Sequence, residues 1–143
     1  MIDAIAREDG FLRLADGEDL VAALGRLAVE SAVILAGIGM VRDAAIGYWN
    51  GTEYGTTRLD EPAELLSLQG NIARHGQERI VHAHLCIAGA DGVARGGHLM
   101  AATVHNTAEI ALRLAPEIVL ERIEEDGRLV LRPRLRAAAD GKD

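Results

Sequence analysis

Three short glycine-containing turns constrain the fold of this 143-residue chain more than any other feature. Asn50-Gly51 and Asp126-Gly127 each separate two stretches in which apolar and polar residues alternate. Both central positions of a type I′ turn require positive φ, which asparagine, aspartate and glycine tolerate, so each pair predicts a two-residue hairpin. The third turn, Ala90-Asp91-Gly92, suits a three-residue hairpin loop with Gly92 in the left-handed conformation. Tight turns of this kind join antiparallel strands, so the sequence predicts an antiparallel sheet.

The segments between these turns predict most of the strands. Strands are expected at 10–14, 32–39, 40–49, 52–59, 117–124 and 128–132. The continuous apolar run at 32–39 suits a strand that is buried on both faces. The segment 62–76 favours a strand over a short helix, whereas 100–114 fits either as far as Pro116.

One segment has a clear helical pattern. Asp16 can cap a helix from 17 to about 30, in which the apolar side chains at 20, 21, 24, 27 and 28 share one face. One helix among many short strands predicts an α+β fold, built as an antiparallel β-sheet with one main amphipathic helix. With 49% hydrophobic residues, the chain is expected to form a single domain over 1–143, with a core at about 7–134 and a frayed tail at 135–143.

The stretch 81–100 holds three of the five histidines and the only cysteine of the chain. Residues two apart in a strand project to the same face, so His82 and His84 are expected to lie side by side. With the three-residue loop described above, the strand that follows returns with His98 directly opposite His84. The spacing therefore predicts that the three imidazoles meet on one face of a hairpin.

The side on which His98 lies depends on the length of the loop. A two-residue loop of Asp91-Gly92 turns His98 to the other face, unless a bulge at Gly96-Gly97 restores the parity. Glycines at 96 and 97 also let a ligand approach the backbone closely, so both are candidate cofactor-binding residues.

Three histidines on one face predict a metal site formed by His82, His84 and His98. Directly opposed Cβ atoms lie about 4.5 to 5.5 Å apart, from which two imidazoles can reach one ion at a Zn–N distance of about 2.0 to 2.1 Å. Three neutral imidazoles with an open fourth position favour Zn²⁺, although other divalent first-row metals accept the same ligands. The open position suits a water, or the carboxylate or phosphate of a small molecule.

A hydrolytic or lyase reaction at such a metal requires a nearby general acid or base. The candidates are Glu64, Glu109 and Asp43, none of which the sequence places near the histidines. The less specific interpretation is that the histidines are structural, and Cys86 is expected to be a small buried residue rather than a ligand. The sequence leaves open whether any reaction is catalysed.

Composition narrows the possible partners and compartments. The net charge of -7 and the isoelectric point of about 5.2 disfavour DNA binding, which depends on basic side chains. With 3% aromatic residues, a stacking surface for single strands is not expected. A single cysteine forms no internal disulfide, and neither a signal peptide nor a membrane-spanning run is evident. We therefore expect a cytoplasmic protein without a membrane partner.

Several short motifs are spread from about Arg7 to Arg134, which is nearly the whole chain. They are the segments at 17–20, 37–39, 42–44, 64–72, 82–84 and 96–99. Together they resemble the PPC domain, the plants and prokaryotes conserved domain, in its prokaryotic stand-alone form without an AT-hook.

The resemblance implies an α+β fold around an antiparallel sheet, a homotrimer, and a three-histidine metal site as in the prokaryotic members. Similar plant domains follow an AT-hook and act in transcriptional regulation, which implies potential DNA binding as an alternative. This chain has no Arg-Gly-Arg-Pro core, and Arg132-Pro133-Arg134 lacks the glycine. A further alternative is a trimeric scaffold that binds other proteins and uses the metal for stability alone.

Overall fold

In a computed structural model of the protein, residues 1–137 are described; positions 138–143 of the predicted frayed tail lie outside them. The described chain forms nine strands and one α-helix. In chain order these are β1 (Ile2–Ala6), β2 (Asp9–Ala15), α1 (Leu20–Gly25), β3 (Ala32–Trp49), β4 (Tyr54–Leu59), β5 (Ala63–His75), β6 (Glu78–Ala88), β7 (Ala94–Leu114), β8 (Ile118–Glu125) and β9 (Arg128–Leu135). The first tail residues are tied to the fold, because the Arg136 N–H donates to the Glu117 carbonyl at 2.8 Å.

The predicted α+β fold is wrong, because strands dominate the described chain and its helix has only six residues. The helix expected at 17–30 starts later, since Gly17 has a φ of +83° and Asp19 caps the helix by accepting from the Ala22 N–H at 2.8 Å. It ends at Gly25, after which the Leu27 N–H bonds the Leu24 carbonyl and the chain leaves the helix. The predicted apolar face is confirmed in part, because Leu20, Leu24 and Leu27 are buried whereas Val21 is half-buried and Ala28 is exposed.

Four long strands pair in a closed ring. β3 pairs with β7 on one side and with β5 on the other, and β6 pairs with both β5 and β7. All of these pairings are antiparallel, and closure of a sheet removes its exposed edges. The segment 100–114, which fitted helix or strand, is therefore a strand, since it pairs along β3.

The remaining strands extend this ring at its edges. The β1–β2 hairpin adds to β7, and β4 adds to β3. The β8–β9 hairpin joins β5 through a short parallel contact between Glu121 and Arg74. These additions bring the tips of the β3–β4 and β8–β9 hairpins to the outer surface of β6.

Apolar side chains alternate with polar ones along the strands, and the inward ones form the core. In β3, Ala32 and Ile34 are buried whereas Val33 and Leu35 are exposed, so the expectation of a strand buried on both faces is wrong. Only one face of β3 packs into the ring, and among residues 1–137 no helix covers the other face. No helix in the described chain is long and apolar enough to span a membrane.

One of the two predicted type I′ turns is confirmed, and the other prediction is wrong. Asp126 and Gly127 have φ values of +50° and +73°, as a type I′ turn requires, and Glu125 pairs with Arg128. The β3–β4 connection is instead a four-residue loop between the paired residues Trp49 and Tyr54.

The side chain of Asn50 explains the longer loop. Its Oδ1 accepts from the backbone N–H groups of Thr52 and Glu53, both at 2.9 Å. Asparagine often satisfies turn backbone in this way, and the bonds hold a wider loop than the two-residue turn that was expected.

Candidate metal centre

The loop between β6 and β7 sets the side on which His98 lies. Gly92 has a φ of +69°, and its N–H donates to the Gly89 carbonyl at 2.9 Å. From Ala88 opposite Ala94, the pairing continues without a register shift to His84 opposite His98. The predicted register of the hairpin is therefore confirmed.

The loop is held by its own aspartate. The Asp91 carboxylate accepts from the Val93 N–H at 3.0 Å and from the Arg95 guanidinium at 2.7 Å. These bonds lower the pKa of Asp91 to about 2, the Arg95 hydrogen bond being the larger cause. The charge of Asp91 therefore supports the loop on which the position of His98 depends.

Gly96 and Gly97 allow neighbouring strands to approach closely. The pairing of β6 and β7 has no bulge at these residues, so the loop alone sets the parity. A Cβ at Gly96 would lie 2.7 Å from the Leu85 carbonyl oxygen, and one at Gly97 would lie 2.7 Å from that of Gly47. Both glycines have a clear packing role on either side of the strand that carries His98.

The three predicted ligands meet on the outer face of the ring. One nitrogen from each of His82, His84 and His98 lies within 4.8 Å of the other two. The ring centroids are 5.0 Å apart for His82 and His98, 5.4 Å for His84 and His98, and 5.5 Å for His82 and His84. His84 is exposed and the other two are half-buried, so the cluster is open on one side.

A buried arginine on β8 contacts this cluster. Arg122 is only 8% exposed, and its Nη2 donates to His82 Nδ1 at 2.9 Å and to Asn71 Oδ1 at 3.0 Å. Asn71 lies directly opposite His82 in the β5–β6 pairing. Arg122 therefore brings a fixed positive charge behind the histidines.

Burial and charge keep two of the imidazoles neutral. Burial lowers the pKa of His82 to about 4, and the charges of Arg122, His98 and His84 add to the effect. Burial, followed by the charges of His84 and Arg122, also lowers the pKa of His98. At neutral pH both rings are therefore unprotonated bases, which is the form that binds metals.

The contact with Arg122 also selects the tautomer of His82. A guanidinium only donates hydrogen bonds, so His82 Nδ1 accepts and the ring proton resides on Nε2. A metal held through Nε2 would require this proton on Nδ1, which could then no longer accept from Arg122. Arg122 and a metal therefore compete for His82.

The residues fit a zinc ion in number and chemistry. Three nitrogens bound to one tetrahedral zinc lie about 3.3 Å apart, so the imidazoles need to move together only slightly. The Nδ1 atom of His98 is buried without a hydrogen-bond partner in the described part of the chain, which leaves it available to a ligand. A buried nitrogen without a partner is costly unless something binds it.

A cavity of about 590 Å³ opens beside the cluster. One wall is the end of the β3–β4 hairpin, with Trp49 and Tyr54, and the other is the β8–β9 turn, with Arg128 and Leu129. His82 and His84 line the cavity between these walls, and the Tyr54 ring lies 5.0 Å from that of His98. The two hairpins thus enclose space for a small molecule at the histidines.

The structure does not bring the predicted acids and bases to this cluster. Glu64 pairs with Ala88, four residues or about 13 Å along β6 from His84. Glu109 is on β7, eleven residues beyond His98. Asp43 is on β3 with its carboxylate 3.6 Å from Arg42 Nε. None of the three lines the cavity.

The family of the chain follows from comparison with known proteins. A profile of the Plants and Prokaryotes Conserved (PCC) domain matches residues 8–115. The chain belongs to this family. The resemblance inferred from the sequence motifs is thereby confirmed.

Solved structures of PCC-family and similar proteins share the fold. A plant- and prokaryote-conserved protein of Pyrococcus horikoshii is 29% identical, with a TM-score of 0.78 over 94% of this chain and 96% of that one. A metal-containing protein of Archaeoglobus fulgidus is 34% identical, with a TM-score of 0.74 over 85% and 89%. A Bacteroides thetaiotaomicron protein whose name proposes DNA binding has a TM-score of 0.83 over 92% and 96% but is 20% identical, which shows the fold alone.

A curated relative is much longer than this chain. The bifunctional protein GlmU of Synechococcus sp. (strain JA-2-3B'a(2-13)) is 35% identical over 116 residues. The match covers 78% of this chain but 17% of the relative. This chain therefore matches a small part of the length of that protein.

The sequence prediction missed Arg122 and the aromatic wall. Arg122 is forty residues from His82 along the chain, and no local pattern connects them. The aromatic residues did leave a signal, because the only tryptophan and both tyrosines fall at Tyr48, Trp49 and Tyr54. Such a concentration around one turn, in a chain with 3% aromatic residues, indicates a contact surface.

Proposed function

We propose that this PCC domain binds one divalent transition metal, with zinc as the best match, through His82, His84 and His98. The observation that carries the proposal is the convergence of three imidazole nitrogens within 4.8 Å on an open face. The similarity to a metal-containing protein at 34% identity supports it.

The bound metal is proposed to serve a small-molecule ligand in the adjoining cavity. When bound, the metal supplies a Lewis acid that attracts an anionic or carbonyl oxygen. The chain itself contributes the cavity walls and the strand positions of the histidines, which the β5–β6 and β6–β7 pairings fix. Because no carboxylate lines the cavity among residues 1–137, the proposed function is ligand binding rather than a named reaction.

Metal analysis of untagged protein tests the proposal. We expect about one zinc per chain after zinc loading and removal of excess by dialysis. A His82→Ala/His98→Ala double variant, loaded in the same way, is the control and is expected to bind none. Wild-type protein that remains metal-free after loading contradicts the proposal.

We further propose that the protein assembles as a homotrimer, as the family resemblance implies. An exposed apolar surface on β2, β7 and β3 supports this, because Phe11 lies opposite Ala111, which in turn lies opposite Ala36. Phe11 is 65% exposed and the nearby Ile38 is 57% exposed. Glu109 lies opposite Ile38, so a charged residue borders these exposed apolar side chains, and exposed apolar patches commonly mark protein interfaces.

Sedimentation of wild-type and Ile38→Glu proteins tests the assembly. A buried, unpaired charge at an interface is costly, so the variant is expected to shift from trimer to monomer. Val93→Glu, at an exposed apolar residue in the β6–β7 loop, is the matched control and is expected to remain trimeric. A wild-type monomer contradicts the proposed trimer, and an Ile38→Glu variant that remains trimeric contradicts the assigned interface.

A further inference from the structure

The cavity beside the histidines is lined in part by exposed apolar and aromatic side chains. Trp49, Tyr54 and Leu129 line it and are 42%, 43% and 44% exposed. The rings of Trp49 and Tyr54 lie 5.2 Å apart with a tilt of 58°, so they form two faces of an angled aromatic surface. Exposed aromatic side chains next to a polar cluster are typical of a binding site, since a ligand that covers them removes apolar surface from water.

The polar groups of the cavity favour negative charge. Arg128 is one of the lining residues, and Arg122 lies behind His82. Among the described residues, no aspartate or glutamate lines the cavity to offset them. An anion therefore meets imidazoles and cationic groups there, and a metal held by the histidines would add further positive charge.

The positions of the aromatic residues and of the histidines define the shape of the ligand. The aromatic wall is adjacent to the histidines, because the Tyr54 and His98 rings are 5.0 Å apart with an interplanar angle of 34°. A ligand with its charge at the histidines thus has its body between Trp49 and Leu129. The volume of about 590 Å³ lies within the range of about 300 to 1,000 Å³ found for small-molecule sites.

We propose that the cavity binds a small planar aromatic acid, with its carboxylate toward the three histidines and its ring against Trp49 and Tyr54. This proposal rests on the metal-binding function above, and it specifies the class of ligand at that site. The planar ring gains stacking contacts with both aromatic side chains, which a saturated ring of equal size does not. The carboxylate gains the metal, with Arg128 as a second cationic partner.

Binding of three simple probes to the zinc-loaded protein tests the ligand class. Benzoate has the ring and the charge, cyclohexanecarboxylate has the charge without a planar ring, and benzamide has the ring without the charge. Trp49 is the only tryptophan of the chain, so its fluorescence reports directly on the cavity wall. We expect benzoate to bind about tenfold more tightly than either of the others.

Two variants locate the site. Trp49→Leu is expected to weaken benzoate binding about fivefold, measured by calorimetry, with little effect on cyclohexanecarboxylate. Tyr48→Leu is the matched control, because Tyr48 is a neighbouring exposed aromatic residue that does not line the cavity. It is expected to bind all three probes as the wild type does.

The zinc content of each sample separates the two proposals. Zinc-loaded protein that fails to bind benzoate, or binds all three probes equally, overturns the aromatic-acid proposal alone. A protein that takes up no zinc overturns the proposed metal function and this inference with it. Preference for benzoate that is lost in Trp49→Leu but retained in Tyr48→Leu supports the assignment.

Discussion

The two faces of β6 have different roles in this molecule. Ala83, Leu85 and Ile87 point into the ring and are buried, whereas His82 and His84 point outward. Residues one position apart therefore contribute either to the core or to the candidate metal centre. The comparison shows that strand parity alone can separate stability from chemistry, and substitutions on the two faces should have separable effects.

The largest expected effect comes from the inward face. Ile87→Ala removes a fully buried side chain and leaves a cavity, so the free energy of unfolding is expected to fall by about 2 to 5 kcal/mol. Urea denaturation measures the loss, and the zinc content of the folded variant is expected to equal that of the wild type. Cys86→Ala, on the outward face, is the control and is expected to lose less than about 1 kcal/mol. Equal losses in both variants contradict the separation of the two faces.

The candidate metal centre on the outward side is tested by His98→Ala, at the ligand that the neighbouring strand β7 supplies. Removal of one of three ligands is expected to weaken zinc binding by at least about 100-fold, measured by competition with a chromophoric chelator. The metal-free variant is expected to unfold at nearly the same urea concentration as the metal-free wild type, because His98 is not part of the core. A large loss of stability without metal would indicate that the cluster is part of the structural framework.

The proposed competition between Arg122 and the metal for His82 gives a further test of the outward face of β6. Arg122→Met removes the charge and the donor that occupy His82, a hydrogen bond worth about 1.5 kcal/mol, so zinc affinity is expected to rise about tenfold. The same change also removes one cause of the lowered pKa of His82. Arg113→Met, at an arginine of β7 paired with Glu8 and Asp9, is the control and is expected to leave zinc affinity unchanged. Weaker zinc binding in Arg122→Met would show that the guanidinium supports the metal instead.

The smallest effect is expected from a substitution in the β6–β7 loop, which determines the face on which His98 lies. The pKa of Asp91 is lowered from 3.8 to about 2, so the native carboxylate keeps its charge at pH values where the unfolded chain is protonated. Its contribution to stability is complete above pH 3.8 and is lost as the pH falls through about 2. Asp91→Asn is expected to lower the melting temperature by about 2 °C at pH 7. This difference should shrink as thermal melts are repeated between pH 4 and pH 2; a constant difference contradicts the assignment.

Local patterns predicted the parts of the site that depend on one hairpin. The alternation of β6 and the three-residue loop placed His84 opposite His98, and both signals lie within a few residues of the histidines. The type I′ turn at Asp126-Gly127 could also be predicted from the sequence, because its conformation depends on two residues.

Features that depend on distant parts of the chain could not be predicted in this way. The helical pattern at 17–30 was real, but the conformation of Gly17 and the cap at Asp19 shortened the helix to six residues. Arg122 reaches His82 because β8 lies against β5, where Glu121 pairs with Arg74 and His75 bonds the Arg122 carbonyl at 2.9 Å. A pairing that short leaves no periodic signal in the sequence.

Anomalous diffraction from crystals of zinc-loaded protein, recorded on both sides of the zinc absorption edge, is the most direct test of the outward face of β6. The account predicts one zinc peak per chain, about 2.0 to 2.1 Å from one nitrogen of each of His82, His84 and His98. No peak at the three histidines, or a zinc ion bound elsewhere, would contradict it.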